Sequence, residues 1–166
     1  MDSNLLALIS AILYIFSSKR KQKKSVEISI LKLISTVMLT VTFLVVVFVL
    51  SPMLENGHYI LMLTDQMLYN HTICPILAIL SFIFFEEYAL KKSHIIWPIA
   101  STAIYAVILI TLNLLHIIDG PYPFLQVYNQ PVIATIGWSI LILGGTGALS
   151  YLYYAIKKHQ KSLPSR

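Results

Sequence analysis

Charge is what this sequence has least of: of 166 residues, 11% are Asp, Glu, Lys or Arg, whereas 57% are hydrophobic. A water-soluble domain of this length carries roughly a quarter charged residues and gives each surface helix one polar face. Neither property is present, because the apolar residues come in uninterrupted blocks. That excludes a soluble globular domain and indicates an integral membrane protein. Cysteine is nearly absent too. Cys74 stands alone, so no intrachain disulfide forms, and inside an apolar run it reads as a small packing residue. The amino terminus lacks the positive charge that precedes the apolar core of a secretory signal. Met1, Asp2, Ser3 and Asn4 come first and the basic cluster follows the run, so a retained anchor is expected. There is no internal repeat and no low-complexity linker, which makes residues 1–166 a single transmembrane helical domain.

The blocks set the expected fold. A transmembrane helix needs about 20 apolar residues to cross roughly 30 Å of hydrocarbon. Spans are expected near 4–18, 27–51, 67–88, 95–118 and 131–156, an all-α bundle of five transmembrane helices. The first is short and crosses with the help of snorkelling flanks or local thinning. Lysine and arginine are missing from one whole side of this arrangement. All the basic residues, from Lys19 to Lys24, at Lys32, Lys91 and Lys92, and from Lys157 to Arg166, fall on the other. By the positive-inside rule that side is cytoplasmic, so the amino terminus is outside and the carboxyl terminus inside. The net charge of +5 then reflects loops held against anionic lipid, and no nucleic-acid partner is expected.

Polar residues at membrane depth are the candidates for function, because inserting them is costly. His71 opens the third block, with Pro75 four residues on. The missing proline N–H leaves the carbonyl of residue 71 without its helical donor and predicts a kink. Counting about 1.5 Å per residue from the basic end puts His71 and Thr42 both about 24 Å up and Asn113 about 27 Å up. Those three are expected to meet in one layer, with Thr40 close to it and Thr36 about 15 Å up. A Thr in a membrane helix also commonly bonds the carbonyl four residues back. Asn113, His116 and Asp119 follow one another at intervals of three and share a helix face if the helix continues. Together with His58, Asp65 and His71 they supply His nitrogen and carboxylate oxygen for zinc, although no H-E-x-x-H motif is present and no metal or other cofactor is expected. Small residues at Gly137, Gly144 and Ala148 predict close helix packing, within the bundle or in a homo-oligomer.

The loop HIIDGPYPFLQVYNQP, His116 to Pro131, is apolar and stiffened by prolines, and is expected to fold back over the bundle as a lid. Here the sequence resembles the androgen-induced membrane hydrolase family and its bacterial relatives. The resemblance lies in His71-Thr72 with Pro75, and in Tyr122-Pro123-Phe124-Leu125 with Pro131. It implies a multi-span threonine hydrolase cleaving esters of hydroxy fatty acids in a bacterial plasma membrane. It gives His71 the histidine role and leaves the nucleophile to Thr42, Thr40 or Thr36. Such a hydroxyl attacks an ester carbonyl once a neutral imidazole takes its proton. Asn113 or Tyr122 would then serve the oxyanion, and Tyr122, Phe124, His116 and Asp119 would line the path of a lipid ester. No G-x-S-x-G elbow occurs, which excludes a hydrolase of the soluble serine type. Two other readings stand beside this one: a non-catalytic subunit, immunity or small-molecule-binding protein, and a metal-dependent hydrolase using His71, His116 and Asp119.

Overall fold

The computed structural model describes residues 2–19, 25–53, 65–88, 90–119, 122 and 125–162. Five helices account for nearly all of them: α1 (Asp2–Lys19), α2 (Val26–Met53), α3 (Gln66–Phe85), α4 (Lys92–Leu114) and α5 (Val132–Ser162). The last four are long and apolar enough to cross a membrane. The protein is an all-α, multi-pass membrane bundle. The apolar run of α1, Ser3–Ser17, is shorter. Two bonds nevertheless place α1 beside α3 at both levels. The Asn4 amide donates to the carbonyl of Asn70 at 3.2 Å, and the Tyr14 hydroxyl donates to that of Phe85 at 2.6 Å. The two helices therefore run parallel between the same two levels.

Helix α2 is the centre of the bundle and packs against α1, α3, α4 and α5. Its sequence suits that place. Ser29, Ser35, Thr36 and Thr40 are buried among Leu33, Val37 and Leu39, and small residues let neighbouring backbones come close. Ser25 caps its start, accepting from the N–H of Ile28. The core proper, Leu33, Val37, Phe82, Leu90 and Tyr153, sits toward the end where the basic residues gather, here called the basic end. Phe82 meets Tyr153 edge to face at 5.3 Å. Lipid tails are as apolar as these side chains, so what they contribute is packing rather than escape from water.

The break expected at Pro75 appears in a different form, and a second one of the same kind accompanies it in α2. Instead of a simple kink before Pro75, residues Tyr69–Ile73 form a wide π-turn closed by the Cys74 N–H on the Tyr69 carbonyl. Val46–Leu50 form another, closed by the Ser51 N–H on the Val46 carbonyl, immediately before Pro52. A proline ring crowds the carbonyl behind it and brings no donor, and a turn wider by one residue absorbs both problems. At Pro75 the carbonyl five residues back is that of Asn70, the one Asn4 serves. A polar residue on the shortest helix thus satisfies a carbonyl released by a proline on another.

The fourth helix ends earlier than expected, at Leu114 rather than near 118. The Ile117 N–H reaches the Leu112 carbonyl at 3.0 Å and the His116 N–H that of Asn113 at 2.9 Å, with His116 left-handed at φ 54°. That is a Schellman closure with histidine where glycine is usual. Asn113, His116 and Asp119 consequently do not continue on one helical face. The fifth helix runs past 156 to Ser162, since nothing in its basic tail breaks it.

Candidate functional site

Between α2, α4 and α5, toward the end opposite the basic residues, lies a cavity of about 110 Å³. Met38, Val41, Thr42 and Val45 line it from α2, Thr102, Tyr105 and Ala106 from α4, and Trp138, Ser139, Ile142 and Leu143 from α5. Ser3 of α1 reaches it, and Tyr122 and Leu125 of the α4–α5 connection complete the wall. No Lys, Arg, Asp, Glu or His stands among the described residues that line it. Its polar edge consists of hydroxyls and one indole, so it suits an uncharged, largely apolar occupant.

The loop that reaches the cavity is held by Asn113, buried at the end of α4. Its Nδ2 donates to the Ile118 carbonyl at 3.1 Å, and its Oδ1 accepts from the Val127 N–H at 2.9 Å. Tyr128 adds a bond to the Leu114 carbonyl at 2.7 Å and stacks on His116 with ring centroids 4.3 Å apart. The described part of the connection is thus fastened to the last turn of α4, through Ile118 on one side and through Val127 and Tyr128 on the other.

The sequence-derived candidates fall into several places. Thr42 and Tyr122 are on the cavity wall, and the Thr42 hydroxyl donates to the Met38 carbonyl at 2.9 Å. Thr40 lies deeper, donating to the Thr36 carbonyl at 2.8 Å and meeting the Tyr153 hydroxyl at 2.8 Å. Thr36 is fully buried within α2. His71, inside the π-turn of α3, does not line the cavity, and its Nδ1 has no hydrogen-bond partner among the described residues. Asn113 is engaged by the connection. His116 and Asp119 border a separate polar hollow of about 200 Å³ with Gln126, Tyr128 and Asn129. Phe124 and His58 lie outside the described residues. Among the described residues no three His, Cys, Asp or Glu side chains gather closely enough to hold a metal ion. Gly137, Gly144 and Ala148 are exposed on α5, and nothing lies within 4 Å of where a Cβ would stand on either glycine. Among the described glycines, the one that meets a neighbour is Gly147, whose Cβ position is 3.4 Å from the Ile99 side chain.

Two groups of residues carry structure that the sequence reading did not single out. The first is Thr102, on the cavity wall. The second is Glu86, 4% exposed at the basic end. Its Oε1 accepts from the Ser29 hydroxyl at 3.1 Å and the Tyr88 N–H at 3.0 Å, and its Oε2 is 3.6 Å from the Lys32 amine. Lys32 also donates to the Ser81 carbonyl at 3.3 Å and sits 4.3 Å over the Tyr14 ring. Lys157 donates to the carbonyls of Ile83 and Glu86 at 2.6 and 2.8 Å and to Gln160 at 2.8 Å. The last carbonyls of a helix have no partner of their own. Here side chains of α1, α2 and α5 supply donors around the end of α3.

Set against models of known families, curated proteins and solved structures, the chain matches none. The site's chemistry therefore has to be argued from its own residues.

Proposed function

We propose that this protein binds an uncharged, lipid-like small molecule in the cavity between α2, α4 and α5, on the non-cytoplasmic side of a cell membrane. The observation that carries this reading is the composition of the cavity wall: apolar, free of charged side chains among the described residues, and bordered at one end by Tyr122 and Leu125 of a connection that Asn113 fastens. The orientation rests on the basic residues, which put the end with Lys32, Lys91 and Lys157 in the cytoplasm. The test uses the indole on the wall. The chain has two tryptophans, and Trp97→Phe leaves Trp138 as the only one, excited selectively over the ten tyrosines at the red edge of the absorption band. In lipid nanodiscs, 6-bromohexan-1-ol should quench Trp138 saturably, and Ala106→Leu, which fills the cavity, should abolish saturation. Quenching that rises linearly with probe in both proteins is partition into lipid, and the proposal then fails.

A second reading is favoured by Thr42 on that same wall. It makes the protein a lipid-ester hydrolase of the threonine kind, with Thr42 the nucleophile and His71 the base, as the resemblance to the androgen-induced hydrolases implies. It requires His71 to reach the cavity. A lipophilic fluorophosphonate should then label the protein, and Thr42→Ala and His71→Ala should each remove the label. Labelling that persists in both variants, and in Thr40→Ala and Thr36→Ala, rejects this reading while leaving the binding proposal standing.

A further inference from the structure

Hydroxyls in these helices mostly look after themselves. Thr40, Thr42, Ser139, Thr146 and Ser150 each donate to the carbonyl four residues back, at 2.7 to 2.9 Å. Such back-bonding is the ordinary fate of Ser and Thr in a membrane helix. Thr102 departs from it. The carbonyl four residues back belongs to Pro98, yet the Thr102 hydroxyl makes no hydrogen bond to it or to any other described residue, although the residue is 7% exposed. A buried hydroxyl without a partner gives up its hydration and gains nothing in exchange. Thr102 is also a cavity-lining residue.

We infer that Thr102 is the polar anchor of the cavity and that the ligand is a neutral molecule bearing one alcohol, ester or amide oxygen on a compact apolar segment. This rests on the reading of the cavity as a ligand site and specifies what it takes. In this structure the hydroxyl oxygen itself is closed off from the cavity, and a turn to the second χ1 well open to a helical threonine is what brings it to an oxygen placed there. That hydroxyl both donates and accepts, which admits either an alcohol or a carbonyl. The absence of charged groups from the described lining excludes a phosphate, carboxylate or ammonium at this position, because nothing there would offset its desolvation. Size narrows the choice further. A dry cavity of about 150 Å³ holds benzene. One of about 110 Å³ takes a segment of similar or smaller bulk, so it receives the end of a lipid or a short-chain molecule and not a whole acyl chain.

The experiment compares three probes on the Trp97→Phe protein in nanodiscs: 6-bromohexan-1-ol, 1-bromohexane and 6-bromohexanoate. The alcohol should quench Trp138 saturably, and Thr102→Val should raise its half-saturation concentration about tenfold, the effect of one hydrogen bond. Thr102→Ser should keep the parent value. Bromohexane, which has no oxygen, should bind parent and Thr102→Val alike, and the carboxylate should not saturate the site. Thr102→Val should also raise the melting temperature of the ligand-free protein, because it removes an unpartnered hydroxyl without changing the volume. A merely structural threonine would show the opposite. The inference is overturned if the alcohol still saturates Thr102→Val at the parent concentration, or if the carboxylate binds as tightly as the alcohol. Either result leaves the cavity a binding site with a different anchor. Loss of saturable quenching for every probe in the parent protein removes the cavity reading itself.

Discussion

Thr40 and Tyr153, 113 residues apart in the chain, share a 2.8 Å hydrogen bond in the interior of the bundle. Thr40 already gives its proton to the Thr36 carbonyl, so Tyr153 is the donor between them. Tyr153→Phe removes only that bond, and Thr40→Val removes both. A double-mutant cycle by thermal unfolding in detergent should give a coupling of about 0.6 to 1.7 kcal/mol, the range for bonds between membrane helices.

Lys157→Met should be the most damaging single change at the basic end. It takes a donor from the carbonyls of Ile83 and Glu86 together, and a loss of about 2–3 kcal/mol is expected. Lys158→Met, on the exposed neighbour, should stay within about 0.5 kcal/mol of the parent. Equal effects would show that Lys157 acts only as surface charge.

His116 holds a left-handed conformation, so its backbone sets its tolerance. His116→Asn should keep the helix end intact, because asparagine enters this region readily. His116→Val should cost about 1–2 kcal/mol or more. If ligand quenching survives His116→Asn at the parent half-saturation, the imidazole is a structural stack on Tyr128 and not part of the binding site.

On α5, neighbouring glycines should respond differently. Gly147→Val drives a branched side chain toward Ile99 and should destabilise by about 1–3 kcal/mol. Gly144→Val meets open space and should leave the melting temperature of the monomer unchanged.

The orientation is tested with thiols. In a Cys74→Ala background, Asn129→Cys should react with an impermeant maleimide on intact cells, and Ser93→Cys only after permeabilisation. Labelling of Ser93→Cys on intact cells would invert the topology, since no compensating basic cluster exists on the other side.

The helices were legible in the sequence because hydrocarbon leaves a long helix few alternatives. Their ends were less so. Ile117 and Ile118 are as apolar as the residues before them, so composition hid the closure after Leu114, which depends on backbone geometry at His116. Estimated depth placed Thr42 and Asn113 at similar heights, and both do contact or fasten the walls of the far end. Depth carries no information about which helices enclose a cavity or how far along it extends, however: α3 contributes no described residue to the wall, so His71 is off it, and Asn113, about three turns beyond Thr102 on the same face of α4, lies past its end. Thr102 left no sequence signal. It is one hydroxyl among many, distinguished only by a bond it does not make. Lys32, alone within a span, and Lys157, in the basic tail, entered the sequence reading only as charges of the basic side, and only their partners on α3, brought in by tertiary packing, explain their burial.

The donors at the end of α3 also impose an order on biogenesis. Tyr14 and Lys32 precede that helix in the chain and are available when it emerges, whereas Lys157 follows Ile83 by 74 residues and Glu86 by 71. At ordinary rates of synthesis the two carbonyls wait roughly 4 to 15 seconds for it. During that interval those two acceptors have only water or lipid headgroups to serve them, and the end of α3 would be held toward the membrane surface. Arrival of α5 releases it to settle. The fifth helix would therefore be the one that fixes the depth of the third.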